Sequence, residues 1–119
     1  MPKRTRRPPP SLAKLRRDYE RCRRELAALG PISQGSVQDR TGRRGGGAGY
    51  QWTRKVAAKT VTVALTQEQF VALREAVANR RKLTKLIGRM EGLSRQILFQ
   101  AHPHPARRKP LSKKVLGLN

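Results

Sequence analysis

Tyr50, Trp52, Arg54 and Lys55 stand together in the segment YQWTRK. That mixture of rings and cations suits one kind of chemistry. An exposed aromatic ring can stack on an unpaired base, and flanking cations can hold the phosphates. The same rings have a competing use. Trp52 is the only tryptophan of the chain, and in a small domain it supplies much of the apolar area to be buried. The expectation is that Trp52 covers the core and that Arg54 lies at its rim, charged head in water. Arg54 and Lys55 then meet phosphate.

Further along, Asn79-Arg80-Arg81-Lys82 is followed by Lys85 and Arg89. Arg81, Lys85 and Arg89 are spaced four apart, which puts them on one side of a helix. A basic helix can lie along phosphates or enter a major groove; the bland alternative is a solvated helix face. Arg43 and Arg44 precede a run of three glycines, and arginines on such a loop could contact a groove or RNA. No Gly-Lys-Ser/Thr follows the glycines, so a phosphate-binding P-loop is excluded. Lys3, Arg4, Arg6 and Arg7 at one end, and Arg107, Arg108, Lys109, Lys113 and Lys114 at the other, complete the candidate phosphate contacts.

Other chemistries find little support. Cys22 is the single cysteine, which rules out an internal disulfide or a multi-cysteine zinc site. His102 and His104 form an H-x-H pair without further ligands, too few for a structural metal. Ser11, Ser33 and Ser36 lack a triad context. The few acids show no arrangement for metal-dependent phosphoryl transfer. No enzyme, cofactor or metal is expected.

The charge points the same way. The chain of 119 residues carries 28 Lys and Arg against 7 Asp and Glu, a net charge of +21. Such an excess repels itself and is neutralised best by a polyanion. Nucleic acid comes first and an anionic membrane surface second. No apolar run spans a bilayer, and MPKRTRRPPP lacks the apolar stretch of a secretory signal. A cytoplasmic or nucleoid setting is the corresponding expectation.

The elements that must position these residues read clearly. Residues 1–10 form a basic, proline-rich disordered arm. Ser11 is placed as a helix N-cap, and Leu12, Leu15, Tyr19, Cys22, Leu26 and Leu29 follow at steps of three and four, a two-per-heptad seam. Gly30 and Pro31 end that helix. GSVQDR, Gly35 to Arg40, is a short strand. Tyr50 to Lys55 is a second and Lys59 to Leu65 a third, with VAAK as the turn. Thr66 and Gln69 make a capping box for a second helix from Gln67 to about Gln100. Its heptad-like track is Leu73, Ala76, Arg80, Leu83, Ile87, Met90, Ser94 and Ile97; Leu86 and Leu93 broaden the apolar face, Phe70 and Val77 extend it near the sheet, and Gly88 and Gly92 are weak points. Residues 101–119, with Pro103, Pro105 and Pro110, are a second disordered basic tail. The fold class is therefore α+β. A two-helix, coiled-coil-like hairpin carries a two- to three-stranded antiparallel meander between the helices, in a single small domain over residues 11–100.

GSVQDR, the aromatic-Gln-Trp-Thr-Arg-Lys strand, the KTVT strand and the N-R-R-K-L helix at Asn79 to Leu83 together resemble a family of small bacterial proteins of unknown function. Some of its members are associated with transposases or mobile elements. The resemblance covers about Gly35 to Leu98. Family members usually carry a cysteine-rich knuckle between the first and the aromatic strand. This chain has TGRRGGGAG there instead, so the metal site that the family implies does not carry over. The resemblance implies a mobile-element setting, and on that ground alone DNA is favoured over RNA.

The functional expectation is a small, basic, non-enzymatic nucleic-acid-binding protein. Two rivals stay open. One is a coiled-coil interaction module, in which the seam of residues 11–29 pairs with a second copy or a partner protein. The other is an RNA- or ribosome-associated basic protein.

Overall fold

The computed structural model describes residues 8–42, 49–102, 105–106 and 110–118. The expectations attached to Lys3, Arg4, Arg6, Arg7, Arg43, Arg44, His104, Arg107, Arg108 and Lys109 lie outside the described residues. The elements run α1 (Leu12–Ala27), β1 (Ser36–Asp39), β2 (Tyr50–Val56), β3 (Lys59–Leu65), α2 (Gln67–Ala101) and α3 (Lys113–Leu116). The chain is α+β: a helix, a three-stranded antiparallel sheet and a long helix. It divides into two compact units, Ala28–Lys85 and Met1–Ala27 with Leu86–Asn119. The helix α2 contributes residues to both.

In the unit Ala28–Lys85 the strands pair in the order β1-β2-β3. Trp52 lies between Val37 of β1 and Val63 of β3, and Tyr50 lies between Asp39 and Leu65. Directly paired residues share a face. Tyr50, Trp52, Arg54 and Val56 therefore share one with Val61, Val63 and Leu65. At one end of this face the Tyr50 ring meets Phe70 of α2 at 4.7 Å between centroids. A two-residue turn, Ala57-Ala58, joins β2 to β3, with φ of 49° and 66°. The right-handed twist of paired strands demands positive φ there, so two alanines take a backbone conformation that costs L-residues free energy.

The connector before β1 is held at three points. Asn79 Nδ2 donates to Pro31 O at 3.0 Å, Ser33 N donates to Ala76 O at 3.1 Å, and Trp52 Nε1 donates to Gln34 O at 2.9 Å. Gly35 follows with φ of 107°. Trp52 is half-buried rather than part of the fully buried core. Its indole N–H needs an acceptor, and the connector supplies one. The capping box is as read from the sequence: Gln69 N donates to Thr66 Oγ1 at 3.1 Å and Thr66 N donates to Gln69 Oε1 at 2.9 Å.

The buried face of α2 keeps the expected Val77, Leu86 and Leu93 but departs from the expected track at Asn79, Arg80 and Ile87. Ala76, Val77, Asn79 and Leu86 are buried, whereas Arg80 and Ile87 are exposed. With half-buried Leu83, Met90, Leu93 and Ile97, the inward positions step 76, 79, 83, 86, 90, 93, 97. The physical reason is Asn79. Its Nδ2 donates to Pro31 O, so a polar residue occupies a seam position with a hydrogen-bond partner.

In the other unit, Ser11 caps α1 through its Oγ, which accepts from Lys14 N at 3.1 Å. The helix ends at Ala27, short of Leu29, ahead of the Gly30-Pro31 stop. Leu15 and Cys22 are buried within the chain. Gln100 Nε2 of α2 donates to Pro10 O, just before α1, at 3.0 Å, and Arg89 Nη1 of α2 lies 3.7 Å from Glu25 Oε2 of α1. The short helix α3 forms in the segment read as a disordered tail. It starts beyond Pro110, capped by Ser112, whose Oγ accepts from Val115 N at 3.2 Å. Arg95 Nη1 donates to Leu116 O at 3.0 Å. Gly92 is buried, and a Cβ on it would lie 2.7 Å from Leu118 Cδ2. A glycine read as a weak point of the helix is a notch for the tail.

Candidate nucleic-acid interface

The unit Ala28–Lys85 gathers cations on the side of α2 next to the connector. Arg80 and Arg81 line a cleft of about 110 Å³ together with Ser33, Gly35, Val77 and Thr84. The connector is fixed there by Ser33 N to Ala76 O. The floor is tidy: Thr84 Oγ1 donates to Arg80 O at 3.0 Å, and Ser33 Oγ donates to Gln34 O at 2.9 Å. Both hydroxyls keep acceptor capacity and can reorient to donate. An arginine pair beside such hydroxyls suits a phosphate group, because guanidinium forks match its oxygens.

Arg80, Arg81, Lys82 and Lys85 are all exposed. The ion pairs between described residues are Lys14–Asp18, Arg23–Glu20, Arg89–Glu25 and Arg95–Glu91, and none engages these four cations. They can meet an external anion without first breaking a pair. Arg89, expected to share the duty, faces Glu25 instead. That pair is long and exposed, a kind worth little.

On the sheet, the Arg54 guanidinium lies 5.3 Å from the Trp52 ring centroid, so it covers the ring that a base would need. Arg54 and Lys55 are both exposed, but strand alternation sends Lys55 to the opposite face, where it pairs with Thr60. The YQWTRK residues therefore do not converge as one site. Lys113 and Lys114 are exposed on α3, in the other unit.

Arg80 stands both in the basic run and on the expected apolar track, and it is exposed. One set of cations lies outside the expected contacts. Arg17, Arg21 and Arg24 of α1 are exposed, spaced four and three apart on one helix side, and are engaged in none of the ion pairs above. Their spacing was a readable signal, masked by the three acids in the same helix. Among the described residues no group of three or more His, Cys, Asp or Glu could hold a metal ion. No helix among them is long and apolar enough to cross a membrane.

No family model, curated protein or solved structure matches this chain.

Proposed function

We propose that the protein is a small, basic, non-enzymatic nucleic-acid-binding protein. The observation that carries this reading is the set Arg80, Arg81, Lys82 and Lys85: exposed and outside the ion pairs of the described residues, with Arg80 and Arg81 lining a cleft of about 110 Å³. The net charge of +21 supplies the long-range attraction. The helices α1 and α2 read as an antiparallel hairpin, supported by the Gln100–Pro10 and Arg89–Glu25 contacts; Arg17, Arg21 and Arg24 are a separate exposed basic set on α1. DNA is favoured over RNA, and an accessory role in a mobile element is the setting. Both of these rest on the resemblance of the strand and helix segments alone.

The test is fluorescence anisotropy with labelled duplex DNA, single-stranded DNA and structured RNA, from low to physiological salt. Binding should weaken with a log–log slope of about −0.9 for each duplex phosphate neutralised. Arg80→Gln with Arg81→Gln should make that slope shallower by about two phosphates' worth. An unchanged slope in the double variant removes the cleft from the interface. Binding that vanishes near physiological salt for every ligand removes the reading itself.

A second reading, a protein-interaction module, draws on a different observation. Tyr19, Leu26, Ile87 and Met90 line an apolar groove of about 370 Å³, with Leu26 and Ile87 exposed. Leu15 and Cys22 of the α1 seam are already covered within the chain, so Leu26 is the seam position left for a partner. Loss of a co-purifying partner in Leu26→Glu, with nucleic-acid binding intact, would favour this reading.

A further inference from the structure

The two edges of the sheet are built differently. β1 has four residues and ends in a charge, Asp39. β3 has seven residues, KTVTVAL, and among the described residues pairs on one side only, with β2. From Thr60 to Leu65 it has no charge, proline or glycine. Every residue from Lys59 to Ala64 is exposed. An open, uncharged, β-branched edge is a template for another strand.

The register also says what fits it. A two-residue hairpin turn makes Val56 and Lys59 its closing hydrogen-bonded pair. Hydrogen-bonded and non-hydrogen-bonded pairs then alternate along the ladder. With Val56 opposite Lys59 and Thr53 opposite Thr62, the backbone N–H and C=O of Thr60, Thr62 and Ala64 point away from β2. A second β3 running antiparallel and centred on Thr62 satisfies all of them. Thr62 exchanges bonds with its own copy, and Thr60 exchanges bonds with Ala64 of the other chain. The same register sets Val61 opposite Val63 of the second copy. Val61 and Val63 are each 40% exposed and share a face with Trp52. Two copies would thus join their half-covered apolar rows into one. The Lys59 residues end up six strand positions apart, roughly 20 Å, beyond a Debye length of about 8 Å at physiological salt.

We infer that β3 is a self-complementary pairing edge, and that two copies of this chain join through it into a continuous six-stranded sheet. The contact is a single strand pair and falls at the small end of specific interfaces, below about 1,200 Å². The dimer is accordingly concentration-dependent. It is also strengthened by salt, because each copy carries a net charge of +21 that opposes association. Nucleic-acid binding has the opposite salt dependence, so this inference stands or falls apart from the proposed function.

The test has two arms on the full chain. Sedimentation across protein and salt concentration should show a monomer–dimer equilibrium that shifts towards dimer with salt. Thr62→Pro should abolish it, since the donor it removes is the outward one and the β2–β3 ladder keeps its bonds. Mild oxidation supplies the register. Thr62→Cys should crosslink to itself. Thr60→Cys and Ala64→Cys should each crosslink poorly alone and readily when mixed. Cys22 is fully buried, so the wild type should give no crosslink. A wild type that stays monomeric overturns the inference. So does a dimer that survives Thr62→Pro, or a Thr62→Cys chain that crosslinks no faster than Thr60→Cys.

Discussion

Gly35→Ala tests how the connector is locked to the sheet. Gly35 has φ of 107°, where a side chain costs about 1–2 kcal/mol. Its added Cβ would lie 2.6 Å from Thr53 O and 2.6 Å from Trp52 Nε1. Neither neighbour yields easily. Thr53 O belongs to the central strand, and the indole is held by its bond to Gln34 O at 2.9 Å. Relief requires that bond to break, at about 1 kcal/mol. Loss of unfolded-state freedom returns about 0.4–1 kcal/mol. The net destabilisation is about 2 kcal/mol, or roughly 30-fold in the folding equilibrium. Trp52, the only tryptophan, reports on this unit directly. Urea unfolding followed by its fluorescence should show a midpoint lowered by about 1 M, taking an m-value of about 2 kcal/mol/M. The native emission should also shift, because the indole has lost its acceptor. A midpoint within about 0.2 M of wild type, with unchanged emission, would refute the reasoning.

Three further outcomes can be checked on the same footing. Thr66→Ala removes the acceptor for Gln69 N and should lower stability by about 1 kcal/mol in denaturant unfolding. Ala57→Asn with Ala58→Gly suits the positive φ of both turn positions and should raise the melting temperature, with a gain on the order of 1 kcal/mol. Gly92→Ala should free the C-terminal segment, because the new methyl takes the place of Leu118 Cδ2. Circular dichroism should show α2 undiminished, since alanine favours helix by about 1 kcal/mol, while limited proteolysis should clip the released tail faster at Lys113 and Lys114.

Local signals were legible. Ser11, Thr66 and Gln69 are capping residues whose partners lie three positions away, so their geometry is written in the spacing. The β2–β3 hairpin was legible because Val61, Val63 and Leu65 alternate with Thr60, Thr62 and Ala64 after a short turn. What escaped depends on distant partners. Asn79 looked polar and outward until Pro31 O, 48 positions away, supplied its acceptor; Arg80 was then wrongly assigned to the seam. Gly92 looked like a flaw because Leu118 was not in view. The cations at the candidate site were visible as a run. That Arg80 and Arg81 share a cleft with Ser33 was not, because a tertiary connector creates it. Lys55 was grouped with Arg54 by adjacency, whereas strand pleating parts them.

The three bonds that hold the connector have a kinetic side. The β2–β3 hairpin closes over two residues and belongs to the class of structures that form in microseconds. The Asn79–Pro31 bond spans 48 positions and must wait for the loop entropy of the whole intervening meander to be overcome. In the unit Ala28–Lys85 the hairpin should therefore form before the transition state and the connector should dock after it. Asn79→Ala should accordingly leave the refolding rate nearly unchanged and speed unfolding. The cleft beside Arg80 and Arg81 would be the last feature of this unit to assemble and the first to open.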